Sequence, residues 1–317
     1  PTAPMARPPK NPLIPTRNGV SPSCVALPLL PADDRRWPTL LDFLAERLPA
    51  VDRGAWQQRL SGGQVLDDHA QPVRADDAYR GGGRLYYWRA LDDEPEIPFE
   101  ATLRFQDAHL LVVDKPHFLP VTPTGRFVRQ SLLVRLKQAT GIDTLSPIHR
   151  IDRETAGLVV FSVRPQDRGA YQALFRERSV DKVYEAIAPF DSVLPLPRVH
   201  RSRMAEDPDA FYRMTEIEGE PNSETAIALL ERRGAWARYR LEPVTGKRHQ
   251  LRVHMAALGL PLAGDQFYPR VRRGPGEPED FADPLRLLAR GIGFTDPVTG
   301  ERRRFESGLS LDWPSPD

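Results

Sequence analysis

Cysteine is almost missing from this chain: Cys24 stands alone among 317 residues. One thiol excludes an intrachain disulfide and any all-cysteine metal site. It fits a reducing compartment. Long apolar runs are missing too, so no segment reaches membrane-spanning length. No positively charged region leads into a signal-like core near the N-terminus. The expectation is a soluble cytoplasmic protein with no membrane partner. Nor is charge of one sign in excess. Lys and Arg total 44, Asp and Glu total 43, and the formal net charge is +1. So even a count does not announce a nucleic-acid binder; only a local basic face would make one.

Several catalytic signatures are also missing. "RGGGRL" lacks the glycine spacing and following helix of a dinucleotide fingerprint. "TGKR" lacks the preceding glycines and the following Ser or Thr of a phosphate loop. No G-x-S-x-G elbow occurs. His249 and His254 share neither a strand face nor a clean helical face, and the usual zinc-helix spacing is absent. A metal site is therefore not a leading reading, and the ATP, NAD and serine-hydrolase readings lose weight.

Proline, by contrast, is abundant, with 33 residues. It crowds residues 1–38, which open "PTAPMARPPKNPLIP". They read as an extended or poorly ordered N-terminal extension, unless the apolar "CVALPLL" packs it down. Residues 39–92 read as a small module. "TLLDFLAERL" sets Leu40, Leu41, Leu44 and Leu48 at near-helical spacing. "GAWQQRLSGGQVLDD" gives a second helix, a glycine break and a short strand, and "DAYRGGGRLYYWRAL" a turn and another strand. Such a module suits RNA binding or a structural cap. "DDEPEIP" reads as a linker.

Residues 98–317 form the main domain. "LLVVDKP", "AGLVVFSV" and "KVYEAIA" read as strands, the second buried on both faces. "SLLVRLKQAT" and "GAYQALFRERSV" read as helices. "RRGAWARYRLEPVTGKRHQLRVHMAALGL" suggests a hairpin, a turn, a strand and then a helix. "VRRGPGEPEDFADP" reads as a surface loop, and "LLARGIGFTDPVTGERRRFES" as two strands around a polar turn. The fold class is α+β, with a large mixed, mainly antiparallel sheet and flanking helices.

Two stretches concentrate chemistry. In "HRIDRETAGLVVF", Asp152 lies between Arg150 and Arg153. Neighbouring opposite charge favours the ionised form of such a carboxylate, which then serves as nucleophile or base. A charged turn is the plainer reading. In "TGKRHQLRVH", an extended backbone would turn Gln250, Arg252 and His254 to one face and Leu251 and Val253 to the other. Arg252 would then hold Asp152 by a bidentate ion pair or meet a phosphate. Tyr184 shares a strand face with Ala186 and Ala188. It is a core ring or the floor of a base pocket.

Taken in order, "LLVVDKP", "HRIDRETAGLVVF", "DKVYEAIA" and "GKRHQLRVHMAALGLPLAGDQFY" resemble the RluA-type pseudouridine synthase family. The 39–92 segment resembles the S4-like RNA-binding module attached to some of these enzymes. The resemblance implies a pseudouridine synthase fold and isomerisation of uridine in RNA without a cofactor. It makes Asp152 the essential aspartate, Tyr184 the active-site tyrosine and Arg252 the partner of the aspartate. Leu287 becomes the apolar residue beneath the base. Substrate contacts fall to Arg150, Arg153, Lys182, Lys247, Arg248, Gln250 and His254. The implied partner is structured RNA, ribosomal before transfer RNA, bound by a monomer with no obligatory protein partner. The alternatives are a catalytically silent RNA-binding relative and an aspartate-dependent nucleoside or RNA hydrolase. The chain departs from the family pattern at Ile151, at Lys247 and Arg248, at Leu288 and through "PHFLPVTPTG". These departures loosen any inference about the target.

Overall fold

A computed structural model describes residues 11–31, 33–89, 94–274, 277 and 280–314. The chain divides into two units, Pro1–Glu94 and Pro95–Asp317. Among the described residues no helix is long and apolar enough to cross a membrane.

The smaller unit contains strand β1 (Ser23–Ala26), helices α1 (Leu40–Arg47) and α2 (Arg53–Ser61), and strands β2 (Val65–Leu66) and β3 (Arg84–Tyr87). Helix α1 begins where Thr39 and Asp42 cap one another: the Thr39 hydroxyl accepts the Asp42 N–H, and the Asp42 carboxylate accepts the Thr39 N–H. Asp52 caps α2 by accepting from the Ala55 N–H. Phe43, Leu44, Trp56 and Val65 are wholly buried between the helices and the sheet. The sheet order is β1-β3-β2, with both pairings antiparallel. Strand β1 lies inside the proline-rich stretch that the sequence sets apart as an extension. It pairs with β3, and Leu27 joins the same core, because "CVALPLL" carries apolar side chains that need a face to cover. Residues 1–10 of the extension lie outside the described residues.

The larger unit starts a little before the expected residue 98. Ile97 is buried in its core, and Arg135 donates to the carbonyls of Ile97 and Phe99. Its first half contains β4 (Thr102–Gln106), β5 (Leu110–Lys115), α3 (Leu132–Thr140), β6 (Ser146–Pro147), β7 (Ala156–Ser162) and α4 (Arg168–Arg176). Strands β8 (Asp181–Pro189), β9 (Arg198–Asp207), β10 (Ala210–Ile217), β11 (Ser223–Arg233) and β12 (Trp236–Pro243) follow. Helix α5 (Gln250–Ala257) and strands β13 (Leu287–Thr295) and β14 (Arg302–Glu306) complete it. Eleven strands form one sheet. Its main path is β10-β9-β11-β12-β8-β13-β7-β5-β4, with β14 on β13 and β6 on β7. The described pairings are antiparallel except β13 with β7. Every residue of β5 and β7 is buried; the apolar run of β7 foretells this, whereas β5 also buries Asp114 and Lys115.

At the parallel junction Ala289 lies opposite Gly157. Gly157 has φ of 109°, and a Cβ there would sit 2.4 Å from the Ala289 carbonyl oxygen. Only glycine permits both the backbone angle and the approach.

The expected strand through "HQLRVH" is instead helix α5. Gln250 through Met255 are all buried, so no exposed face marks the period. The alternating polar and apolar residues that suggest a strand all point into protein.

A cleft and its buried charge cluster

Asp152 sits in the loop between β6 and β7, and its surroundings fix that loop on both sides. Nε2 of His149 accepts the Val160 N–H at 3.1 Å. Burial, with help from Lys182, lowers the His149 pKa to about 3, so the ring is neutral and free to accept. Its ring stacks on Phe175 at 4.8 Å. Lys115, fully buried at the end of β5, donates to the carbonyls of Pro116 and Arg153 at 2.8 and 3.0 Å. Burial lowers its pKa to about 7. Between these anchors the Asp152 side chain is 23% exposed and borders a cleft of about 1040 Å³.

Arg252 projects from α5 toward the same loop and is almost wholly buried. Its Nε and one terminal nitrogen grip both oxygens of Asp265, at 2.9 and 2.7 Å. The other terminal nitrogen lies 3.5 Å from Asp152 and 3.5 Å from Glu154. The bidentate partner of Arg252 is therefore Asp265, and Asp152 is held at the limit of hydrogen-bond range. Burial alone would weaken the guanidinium's hold on its proton, but Asp265, Glu154 and Asp152 outweigh it and raise the pKa. Glu154 also pairs with Arg153 at 3.0 Å. Burial pushes its carboxyl up, yet Arg252 and Arg153 hold the pKa near about 2. Asp265 accepts from the N–H groups of Phe267 and Tyr268 as well, at 2.8 and 3.2 Å.

The start of α5 is fastened from several sides. His249 takes the left-handed conformation, with φ of 55°. Its Nδ1 is hydrogen-bonded to the Tyr268 hydroxyl at 2.9 Å, and that hydroxyl accepts the Met214 N–H. Gln250 spends its whole amide on protein. Its oxygen accepts from the Thr245 hydroxyl and the Lys247 N–H, and its nitrogen donates to Glu224 and Thr225. It borders the cleft without offering a group to a substrate.

His254 is a clearer correction to the expected substrate contacts. It is fully buried and does not border the cleft. Its Nδ1 meets the Thr225 hydroxyl and its Nε2 the Ser223 hydroxyl, each at 2.9 Å. Two residues on from Arg252, His254 lies on the other side of the helix and faces β9 and β11, where a strand would have put both on one face. Among the described residues, ligating atoms of His200, Glu216 and His254 lie within 4.8 Å of one another. Each already has protein partners: His200 Nε2 meets Glu216 at 2.8 Å, and His254 Nε2 lies 2.9 Å from the Ser223 hydroxyl and 3.2 Å from that of Ser202.

Tyr184 on β8 and Leu287 on β13 border the cleft beside Asp152. Tyr184 packs toward Ala186 and the core behind it. Burial, with the charge of Asp152, raises the pKa of its hydroxyl, so the phenol stays neutral. Leu287 pairs with Ala186, and Leu288 turns to the opposite face of the sheet. Arg150, Arg153, Lys182, Lys247 and Arg248 border the same cleft. Lys182 donates to the Thr245 carbonyl, and burial followed by Arg178 lowers its pKa to about 8.

Sequence reasoning missed Glu154 and Asp265 in the charge cluster, and Arg176 and Arg178 on the cleft's rim. Asp265 had one usable signal: an arginine destined for burial needs a partner, and "AGDQFY" supplies an acid nearby. The two rim arginines carried no pattern beyond their charge.

The family model for RNA pseudouridylate synthase matches residues 109–257. A relative from Pseudomonas aeruginosa, ribosomal large subunit pseudouridine synthase D, is 30% identical over 302 residues, covering 86% of this chain and 89% of its own. The dual-specificity RNA pseudouridine synthase RluA of Haemophilus influenzae is 32% identical over 231 residues, covering 68% of this chain and 97% of its own. The solved structure of human RNA pseudouridylate synthase domain containing 1 shares the fold, with a TM-score of 0.55 at 22% identity. It covers 71% of this chain and 86% of the human one. With three of the four motif stretches bordering one cleft and relatives matched over most of their length, the chain belongs to the RluA-type RNA pseudouridine synthase family.

Proposed function

We propose that this chain isomerises specific uridines in structured RNA to pseudouridine, in ribosomal RNA ahead of transfer RNA. One observation carries the reading: Asp152, Arg252, Tyr184 and Leu287, from four distant segments, border a single cleft. In the reaction the N1–C1′ bond breaks, the uracil turns, and a C5–C1′ bond forms. The C5 proton leaves and N1 gains one, so atoms balance and no redox partner is needed. Asp152 faces the cleft and attacks C1′ or assists loss of the 2′ proton. Arg252, clamped by Asp265, presents one nitrogen that orients Asp152. Tyr184 stacks on the turning base, and its neutral hydroxyl is suited to relay the C5 proton. Leu287 supports the base from below.

The target nucleotide must leave its helix or loop to reach this depth. Arg150, Arg153, Lys182, Lys247 and Arg248 supply phosphate contacts along the cleft. Residues 39–92 act as an S4-like RNA-binding module, a reading supported by two short capped helices against a small sheet that β1 joins. The name of the Pseudomonas relative supports ribosomal RNA first, and the name of the Haemophilus relative supports a range wider than one RNA target.

The test is to map pseudouridine in total RNA from cells lacking the protein, then rescue with the native chain or with Asp152→Asn. The expected result is a lost position restored by the native chain alone, with Asp152→Asn still binding RNA. Full rescue by Asp152→Asn would sink the assignment of Asp152. Free uracil instead of isomerised RNA would point to hydrolysis.

A further inference from the structure

Aromatic side chains continue out of the cleft in a row that the isomerisation does not use. His249 borders the cleft, and its ring stacks on Phe267 at 5.8 Å with 22° between the planes. Phe267 also borders the cleft and lies 5.5 Å from Tyr212. Tyr212 lies 5.5 Å from Phe211. Phe211, just beyond the turn of the β9–β10 hairpin, is 79% exposed. The row thus runs from the cleft to a hairpin tip.

One exposed phenylalanine needs no explanation by itself. Its anchoring does. A guanidinium nitrogen of Arg248 donates to the carbonyls of Phe211 and Arg213, at 2.8 and 2.9 Å. The Met214 N–H is held by the Tyr268 hydroxyl, which is bonded to His249. The backbone beneath Phe211 and Tyr212 is therefore tied to the loop that starts α5. The register of the hairpin also shifts between Ala210 and Met214, and such a bulge re-aims side chains. Lys247 and Arg248 lie where this row meets the cleft. Aromatic faces flanked by cations are the composition of a platform for unpaired nucleotides.

We infer that His249, Phe267, Tyr212 and Phe211 form a track for the unpaired nucleotides that flank the target uridine. Their bases stack on the rings, and their phosphates face Lys247 and Arg248. The occupant is RNA because the row is continuous with the cleft proposed to hold the extruded nucleotide. The inference rests on that reading for its substrate. Stacking is tolerant of sequence, so a generic probe suffices.

The probe is a stem-loop RNA with an unpaired uridine next to 2-aminopurine, whose fluorescence falls when it stacks. A second RNA has abasic sites in place of the flanking bases. Binding is measured with Asp152→Asn protein, so that turnover does not intervene, with and without Phe211→Ser or Phe267→Leu. The expected result is quenching by the parent protein and affinity weakened roughly tenfold by Phe211→Ser. The abasic RNA should bind the parent and Phe211→Ser equally. Unchanged affinity and quenching in both aromatic variants would overturn the track, as would failure of the parent to bind the stem-loop. Conversion of uridine by the native chain is read separately. Conversion with no aromatic dependence leaves the isomerase and removes the track. Aromatic-dependent binding with no conversion of cellular RNA does the reverse.

Discussion

Asp265 takes two nitrogens of Arg252 at 2.9 and 2.7 Å, while Asp152 shares the third with Glu154 at 3.5 Å. The division suits the role proposed for Asp152. A group gripped on both oxygens would have to break strong bonds before serving as nucleophile or base. Arg252→Ala should strand Asp265 and Glu154 in the interior and cost about 3–5 kcal/mol, read by chemical denaturation. Asp265→Asn should slow turnover by lowering kcat more than it raises KM, because it loosens the arginine without touching RNA. Equal kinetics in single-turnover assays would remove that role. Glu154 gives a pH dependence whose sign is set by its depressed pKa. Its ordinary value is 4.5, and the folded value is about 2. Its contribution is fully present above 4.5 and fades as pH falls toward 2. On the order of 3 kcal/mol is at stake, from about 1.4 kcal/mol per unit. Denaturation curves of Glu154→Gln should accordingly lose less stability between about pH 6 and pH 3 than those of the native chain.

At the scale of elements, the β7–β13 junction has no slack. Gly157→Ala places a Cβ 2.4 Å from the Ala289 carbonyl oxygen, at a φ that side chains avoid. Thermal melts should show a loss of more than about 2 kcal/mol. Gly169→Ala in α4, with nothing within 4 Å of its Cβ, should instead gain roughly 0.5–1 kcal/mol. The same elements show what a sequence displays and what it conceals. Strand β7 was legible as buried on both faces because its apolar run is unbroken, whereas the burial of Asp114 and Lys115 at the end of β5 was not. Nor were the residues of α5. "QLRVH" alternates like a strand, and a helix buried all round leaves no polar face to reveal its period. The consequence reached the site: Arg252 was placed near Asp152 through the family resemblance, while His254 was put on the wrong side. Asp265 escaped because its meaning depends on a partner 13 residues away across a turn. Spacing alone does not show that approach.

For the whole molecule, two units with separate cores should unfold as two events. Calorimetry should show a transition for each, outside a single two-state fit. Deleting residues 287–317 should abolish the larger unit's transition and spare the smaller one's. The reason lies in strand order. β13 lies between β7, which follows Asp152, and β8, which carries Tyr184. Synthesis proceeds from the N-terminus, and domains fold as their chain emerges. A ribosome that has translated only as far as residue 286 has already made Asp152, Tyr184 and Arg252, but not the strand that joins their two halves. The cleft can therefore close only once β13 has been made, and a nascent chain that stops short of it lacks the strand that joins the two halves of this site.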